Sequence, residues 1–403
     1  MICSSSNPLI RRRPGEGRGP RGFTMVELLA VILILSILIA LLLPALNLSV
    51  NTARNAAVGA EIDQLAQALA SFKAQYGDYP PSRIYLAENG DYTVVTSNAS
   101  LSIAGASQDI TLGQLAQRSV SALRKFFPRV VLNTSGGPVF TGPPYTRWYD
   151  FNGNGVVDGP YVLQGHQCLV FFLGGIPFQT ASGYGMTGFG KDPTNPFTNN
   201  LNTSTNYSNN RQAPFFEFAS SRLVLDPTNP YTVLAFPQIP GYLDSLGNTL
   251  GSGQINFYAY FSAYGNGGYD PNDVNFVGPA PYLETDAYGN GPLGLTFNVT
   301  FPVAGTNTSV SPAPNPYTSA LTAPFNGTIP LATTYFNPQT FQIISSGVDG
   351  LYGVGGQYTP NVTGEALPLD PNLSNYVPSP LADNTIRVRE RDNITNFHNG
   401  KLE

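Results

Sequence analysis

The sequence predicts an α+β protein: a long N-terminal α-helix, apolar in its first half and amphipathic in its second, packed on a loop-rich antiparallel β-sheet head with inserts. Three observations predict it. Residues 23–43 form an apolar run with a single ionisable side chain, residues 62–76 repeat apolar side chains at three- and four-residue spacing, and 42 Gly and 35 Pro punctuate a chain of 403 residues. Punctuation of that density makes short strands and turns and rules out an all-helical protein. Only 11% of residues are charged, against roughly 25% in an ordinary soluble domain, so Asn, Ser, Thr and Tyr wet the surface. With 42% hydrophobic residues, the roughly 330 residues of the head can bury a core as one large or two ordinary domains.

Residues 1–22 form a basic leader with Arg11, Arg12, Arg13, Arg18 and Arg21 against one acid, Glu16. Without it the chain has 15 basic and 24 acidic residues, a formal charge of −9. A domain of that sign lacks the clustered cations that displace counterions from phosphates, which argues against nucleic acid as a partner. Cys3 lies in the leader and Cys168 alone in the body, so removing the leader leaves no intrachain disulfide and too few thiols for a structural zinc site.

From Phe23 to Leu43 the 21 residues FTMVELLAVILILSILIALLL contain one ionisable side chain, Glu27, and are long enough to span a bilayer. The segment 23–46 is accordingly read as a membrane-spanning and polymerisation helix. The preceding arginines place the N-terminus in the cytoplasm and the head on the far side of the membrane. A secretory signal peptide would have a shorter apolar region and a small-x-small cleavage site, and the sequence after Leu43 offers no convincing one. Glu27 in hydrocarbon costs about 2.5–3.5 kcal/mol and calls for a partner. Cleavage after Gly22 would supply one, because the new amino group of Phe23 on a neighbouring subunit could pair with Glu27 while the apolar run stays attached.

Arg21-Gly22-Phe23-Thr24-Met25-Val26-Glu27-Leu28-Leu29 resembles the class III signal of type IV pilins and type II secretion pseudopilins. The resemblance implies processing between Gly22 and Phe23 by prepilin peptidase, methylation of Phe23, and assembly through Phe23, Glu27 and Pro44, the last lying where many of these proteins bend or locally melt the helix. It implies a pilin-like fold.

The helix continues over residues 47–76, with Ile62, Leu65, Leu69, Phe72 and Tyr76 on one stripe and Glu61, Gln64, Gln67, Ser71 and Gln75 elsewhere, the pattern of an amphipathic helix on a globular body. Gly77 and Pro80-Pro81 end it. From Phe23 to Tyr76 the helix has 54 residues, about 80 Å at 1.5 Å per residue. An apolar stem repeated on every subunit makes a head-to-tail interface that does not close, the symmetry of a filament. Phe72-Lys73-Ala74-Gln75-Tyr76-Gly77-Asp78-Tyr79-Pro80 also resembles major pseudopilins of the general secretion pathway protein G type, as do residues 243–248 and 341–350. That favours a pseudopilus subunit over a type IV pilus or surface adhesin subunit. It implies as partners the chain itself and other pseudopilins, an inner-membrane assembly platform and the inner membrane. The departure is size, since typical major pseudopilins have a body less than half as large.

In the head, residues 77–403, a second amphipathic helix is expected over residues 112–127, with Asp109 or Thr111 as caps and Pro128 at its end. Residues 164–174 read equally as a buried strand or a short helix. Strands are expected at 231–236, 255–264, 295–303, 340–345 and 385–388. Alternation in the second puts Ile255, Phe257, Ala259 and Phe261 on one face of a sheet with one covered side. Residues 191–211 and 306–330 read as surface loops.

Two regions are candidates for calcium, which takes six to eight oxygen ligands. Asp150, Asn152, Asn154 and Asp158 stand at positions 1, 3, 5 and 9 of an EF-type loop with Gly155 at position 6, but Tyr161 replaces the bidentate carboxylate at position 12. The competing reading is a Gly-rich turn held by ordinary Asx hydrogen bonds. Resemblance to major pseudopilins, which bind calcium late in their domain, implies Asp349, with Asp383 or Asp392 as alternatives, as ligands there. No cofactor is required, and no catalytic residue is expected. His166 and Cys168 are a chance spacing rather than a ligand pair, and Glu217 with Asp226 read as surface acids. A membrane-anchored carbohydrate-binding protein or enzyme is the remaining alternative class.

Overall fold

The computed structural model describes residues 24–93, 112–135, 148–181, 183–198, 208–225, 238–246 and 256–263, then 268–269, 273, 300–302, 310–312, 315–319, 335–348, 350, 352, 355–360, 366–367 and 390–402. The fold is α+β and pilin-like, a long N-terminal helix with small, mostly antiparallel sheets. Helix α1 runs Met25–Tyr76. Thr24 caps it reciprocally with Glu27: the Thr24 backbone N–H and hydroxyl each donate to Glu27 Oε2 at 2.9 Å, and Glu27 N–H donates to Thr24 Oγ1 at 3.2 Å, a capping box. At the other end Gly77 adopts φ +85° and donates to Lys73 O at 2.7 Å, the left-handed stop that glycine permits.

The chain divides into two compact units, Met1–Thr52 and Ala53–Glu403. In the second, the stripe read from the sequence is the core face of α1: Val58, Ile62, Leu65, Leu69 and Phe72 are buried. Helix α2 (Leu112–Phe126) packs against strand β1 (Ile84–Leu86), and Ser119 on its inner face accepts from Tyr85 N–H at 2.7 Å. Strand β2 (Tyr161–Leu163) pairs antiparallel with β1, Tyr85 opposite Val162. Residues 165–174 form helix α3 (Gly165–Gly174), buried at every position. A helix apolar all round belongs at the centre of a core, which is why its sequence carries no amphipathic signature. Phe72 ties α1 to this centre through edge contacts with Phe126 at 5.2 Å, Phe172 at 5.7 Å and Phe215 at 5.4 Å between ring centroids.

After α3 comes the hairpin β3 (Pro177–Thr180) and β4 (Gly183–Met186), and β5 (Leu223–Val224) pairs with β6 (Gly241–Tyr242). Strand β7 (Ala259–Ser262) is followed by the antiparallel pair β8 (Thr300–Pro302) and β9 (Val310–Pro312), then β10 (Asn315–Thr318), β11 (Phe341–Ser345), β12 (Gly355–Gln357) and β13 (Ile394–Thr395). The largest sheet has the order β13-β11-β7, antiparallel throughout, with Ile343 opposite Tyr260. The pair β10–β12 is parallel, an exception to the antiparallel expectation.

The sheet with one covered side is corrected. Phe257 to Phe261 are all fully buried, and the two faces of β7 feed different cores. Tyr258 and Tyr260, with Ile343, join the cluster built on α1, α2 and α3. Phe257, Ala259 and Phe261, with Ile344, join a second cluster around Tyr317, Tyr352 and Leu367. Period-two alternation survives, but it separates one core from another rather than core from solvent. The expected strands at 231–236 and 385–388 lie outside the described residues, as do caps Asp109 and Thr111.

Candidate assembly segment and oxygen-rich loop

The N-terminal half of α1 presents large apolar side chains to its surroundings: Leu33 is 58% exposed, Leu41 71% and Leu42 65%. Side chains that oily stay outside protein contacts only where lipid or other subunits cover them. Among the described residues α1 is the one helix long and apolar enough to cross a membrane. Glu27 lies in the first turn of that helix, its Oε2 engaged by Thr24. Pro44 sits within α1, which continues through it. Gly22 and Phe23 lie outside the described residues.

The oxygen-rich loop folds as a turn bonded largely to itself. Asp150 Oδ2 accepts from Gly155 N–H at 3.0 Å, Asn152 Oδ1 from Asn154 N–H at 3.1 Å, and Asn154 Oδ1 from Val156 N–H at 2.8 Å. Both Asn amides donate to the Asp158 carboxylate, Asn154 at 2.7 Å and Asn152 at 3.1 Å. The position the sequence left without a carboxylate gains one from elsewhere: Glu88, fully buried, accepts from Tyr161 OH at 2.5 Å, Phe151 N–H at 3.1 Å and Asp158 N–H at 2.7 Å. Burial, then the neighbouring Asp158 and Asp150, push the Glu88 carboxyl well above the usual range. In this arrangement the Asn amides, rather than their oxygens, are turned to Asp158. Among the described residues no group of three or more His, Cys, Asp or Glu is arranged to hold a metal.

Of the later acids, Asp349 and Asp383 lie outside the described residues, and Asp392 accepts from Val348 N–H at 2.7 Å. A neighbouring acid that the sequence reading passed over, Asp244, is fully buried. It accepts from the Ser345 hydroxyl, from Ser346 N–H at 3.2 Å and from Leu246 N–H at 2.9 Å, and burial raises its pKa to about 6. It joins the turn after β6 to the end of β11.

The second residue passed over is Glu61. It receives Arg222 through two nitrogens, Nη1 at 2.6 Å and Nη2 at 2.9 Å, together with Tyr242 OH at 2.9 Å and Tyr258 OH at 2.5 Å. Burial opposes its charge, but Arg222 and the tyrosines outweigh that and hold its carboxyl below the usual range. The sequence reading set Glu61 apart from the apolar stripe, yet it stands four residues before Leu65, at the edge of the row that continues through Leu69 and Phe72. His166 and Cys168 both lie buried in α3, two residues apart and therefore on different helix faces. His166 packs against the Phe257 ring at 4.7 Å. Burial lowers its pKa well below the imidazole range and pushes the Cys168 thiol up.

Residues 17–43 match the model of the prokaryotic N-terminal methylation motif. The N-terminal segment is thus that of a type IV pilin-like substrate of prepilin peptidase, of the class that assembles into filaments. Together with the one membrane-length apolar helix among the described residues, the motif fits a membrane-anchored protein. Comparison of the chain with curated proteins and with solved structures finds no match.

Proposed function

We propose that the protein is a structural, non-catalytic subunit of a type II secretion pseudopilus, cut between Gly22 and Phe23, methylated at Phe23, and polymerised through its apolar helix to support protein export. The observation that carries this reading is the methylation motif over residues 17–43 on a helix whose apolar side chains are exposed. The arginines of the leader favour a cytoplasmic N-terminus and a head in the periplasm, or outside the cell after assembly. In the filament Glu27 exchanges its contact with Thr24 for the amino terminus of a neighbour's Phe23, cancelling two charges at membrane depth.

Mass spectrometry of the mature N-terminus tests the processing and should find methylated Phe23; a first residue beyond Leu43 would mean an ordinary secreted protein. Glu27→Ala should still be inserted and cleaved but fail to assemble, and normal filaments from it would refute the pairing. Secretion-system proteins should co-purify with the filament. Pilus proteins in their place would move the chain to the pilus or adhesin class.

A further inference from the structure

We infer that Asn399 is a site of spontaneous deamidation, singled out by the fold from the other Asn–Gly steps among the described residues. The reaction needs the backbone nitrogen after an Asn to reach its side-chain carbonyl carbon, and a following Gly has no Cβ to obstruct the approach. The Gly nitrogen gives up its proton to base and bonds to Cγ, and Nδ2 leaves as ammonia. Water then opens the succinimide ring at either carbonyl, giving aspartate or isoaspartate. The net change is one amide and one water converted to one carboxylate and one ammonium, with no oxidant or other reagent.

Four Asn–Gly steps lie among the described residues, beginning at Asn89, Asn152, Asn154 and Asn399. Three are held. Gly90 N–H donates to Ala87 O at 2.9 Å while Asn89 Oδ1 accepts from Asp91 N–H at 2.9 Å. Asn152 is 6% exposed, its amide bonded to Asp158 and its oxygen to Asn154 N–H, and a Cβ on Gly153 would lie 1.9 Å from Pro177 O. Gly155 N–H donates to Asp150, and both ends of the Asn154 amide are occupied. To react, each must first break these contacts. Asn399 and Gly400 are both exposed, neither the Asn399 side chain nor the Gly400 N–H makes a hydrogen bond among the described residues, and nothing lies within 4 Å of a Cβ placed on Gly400. The product adds a negative charge beside His398, and isoaspartate adds a backbone carbon to the turn that closes the Ile394–Lys401 bridge.

The test is peptide mapping by mass spectrometry, with separation of Asp from isoaspartate, after incubating the full chain in mildly alkaline buffer, folded in detergent micelles and unfolded in denaturant. In denaturant the four steps should react alike. In the folded chain Asn399 should keep its unfolded rate, while Asn89, Asn152 and Asn154 slow by at least about tenfold, the factor an opening free energy of about 1.4 kcal/mol imposes. Slowing of Asn399 on folding to the same degree as the other three would overturn the inference. So would a faster folded-state reaction at any of them.

Discussion

Replacing Glu61 with Ala removes the carboxylate that gathers Arg222, Tyr242 and Tyr258 onto α1. Its side chain and that of Arg222 are 16% and 22% exposed, so the pair lies between the surface and the interior. Breaking a fully buried pair costs about 3–5 kcal/mol because a charge is left uncompensated. Here solvent reaches both groups, and Arg222 keeps Leu243 O through Nε at 3.0 Å and its place over the Tyr242 ring at 4.1 Å. The expected loss is therefore about 2–4 kcal/mol. A double-mutant cycle with Arg222→Ala should return a coupling of roughly 1–3 kcal/mol. Denaturant unfolding of the full chain in detergent, followed through the single, buried Trp148, measures both. Because the Glu61 carboxyl is held below its ordinary range, its contribution is present above the unfolded pKa of about 4.3 and lost as pH falls through the folded value. A coupling indistinguishable from zero, or a loss from Glu61→Ala below that of an ordinary surface substitution, would refute the assignment of Glu61 as the clasp between α1 and the strands behind it.

Asp244 should show the opposite pH dependence: raised to about 6 by burial, it contributes stability fully below its unfolded pKa of about 3.9 and loses it as pH rises through about 6, about 3 kcal/mol over that window. Asp244→Asn should flatten the unfolding free energy there. Phe72→Ala, deleting a fully buried ring, should cost about 3–5 kcal/mol, measured by the same denaturation. Gly59, inside α1 with nothing within 4 Å of its Cβ position, should gain about 0.5–1 kcal/mol when replaced by Ala, seen as a higher denaturation midpoint.

The helices were legible to the extent that their faces differ. The second half of α1 and the whole of α2 announce themselves because one side meets a core and the other water, and their ends carry Gly and Pro stops. Residues 165–174 gave no such contrast, since α3 is buried all round and so short and largely apolar a run reads equally as strand or helix. β7 misled in a related way: its alternation was real, but both faces meet protein. At the oxygen-rich loop the spacing of Asp150, Asn152, Asn154 and Asp158 pointed to cation ligands. What it could not show was Glu88, whose arrival from 62 positions before Asp150 leaves the turn bonded to itself.

By itself the sequence determined the membrane-compatible length of the apolar run, the position of its lone carboxylate, the processing motif and the core-facing stripe of α1, because each is written in residues within a few turns of one another. Only the tertiary structure decided which charges are paired. Glu61 meets Arg222 across 161 positions, and Ser345 meets Asp244 across 101. Contacts at such separation depend on how the whole chain closes, and no local spacing encodes them. Among the described residues the same closure held three Asn–Gly steps and left Asn399 open, a difference invisible in the dipeptide itself.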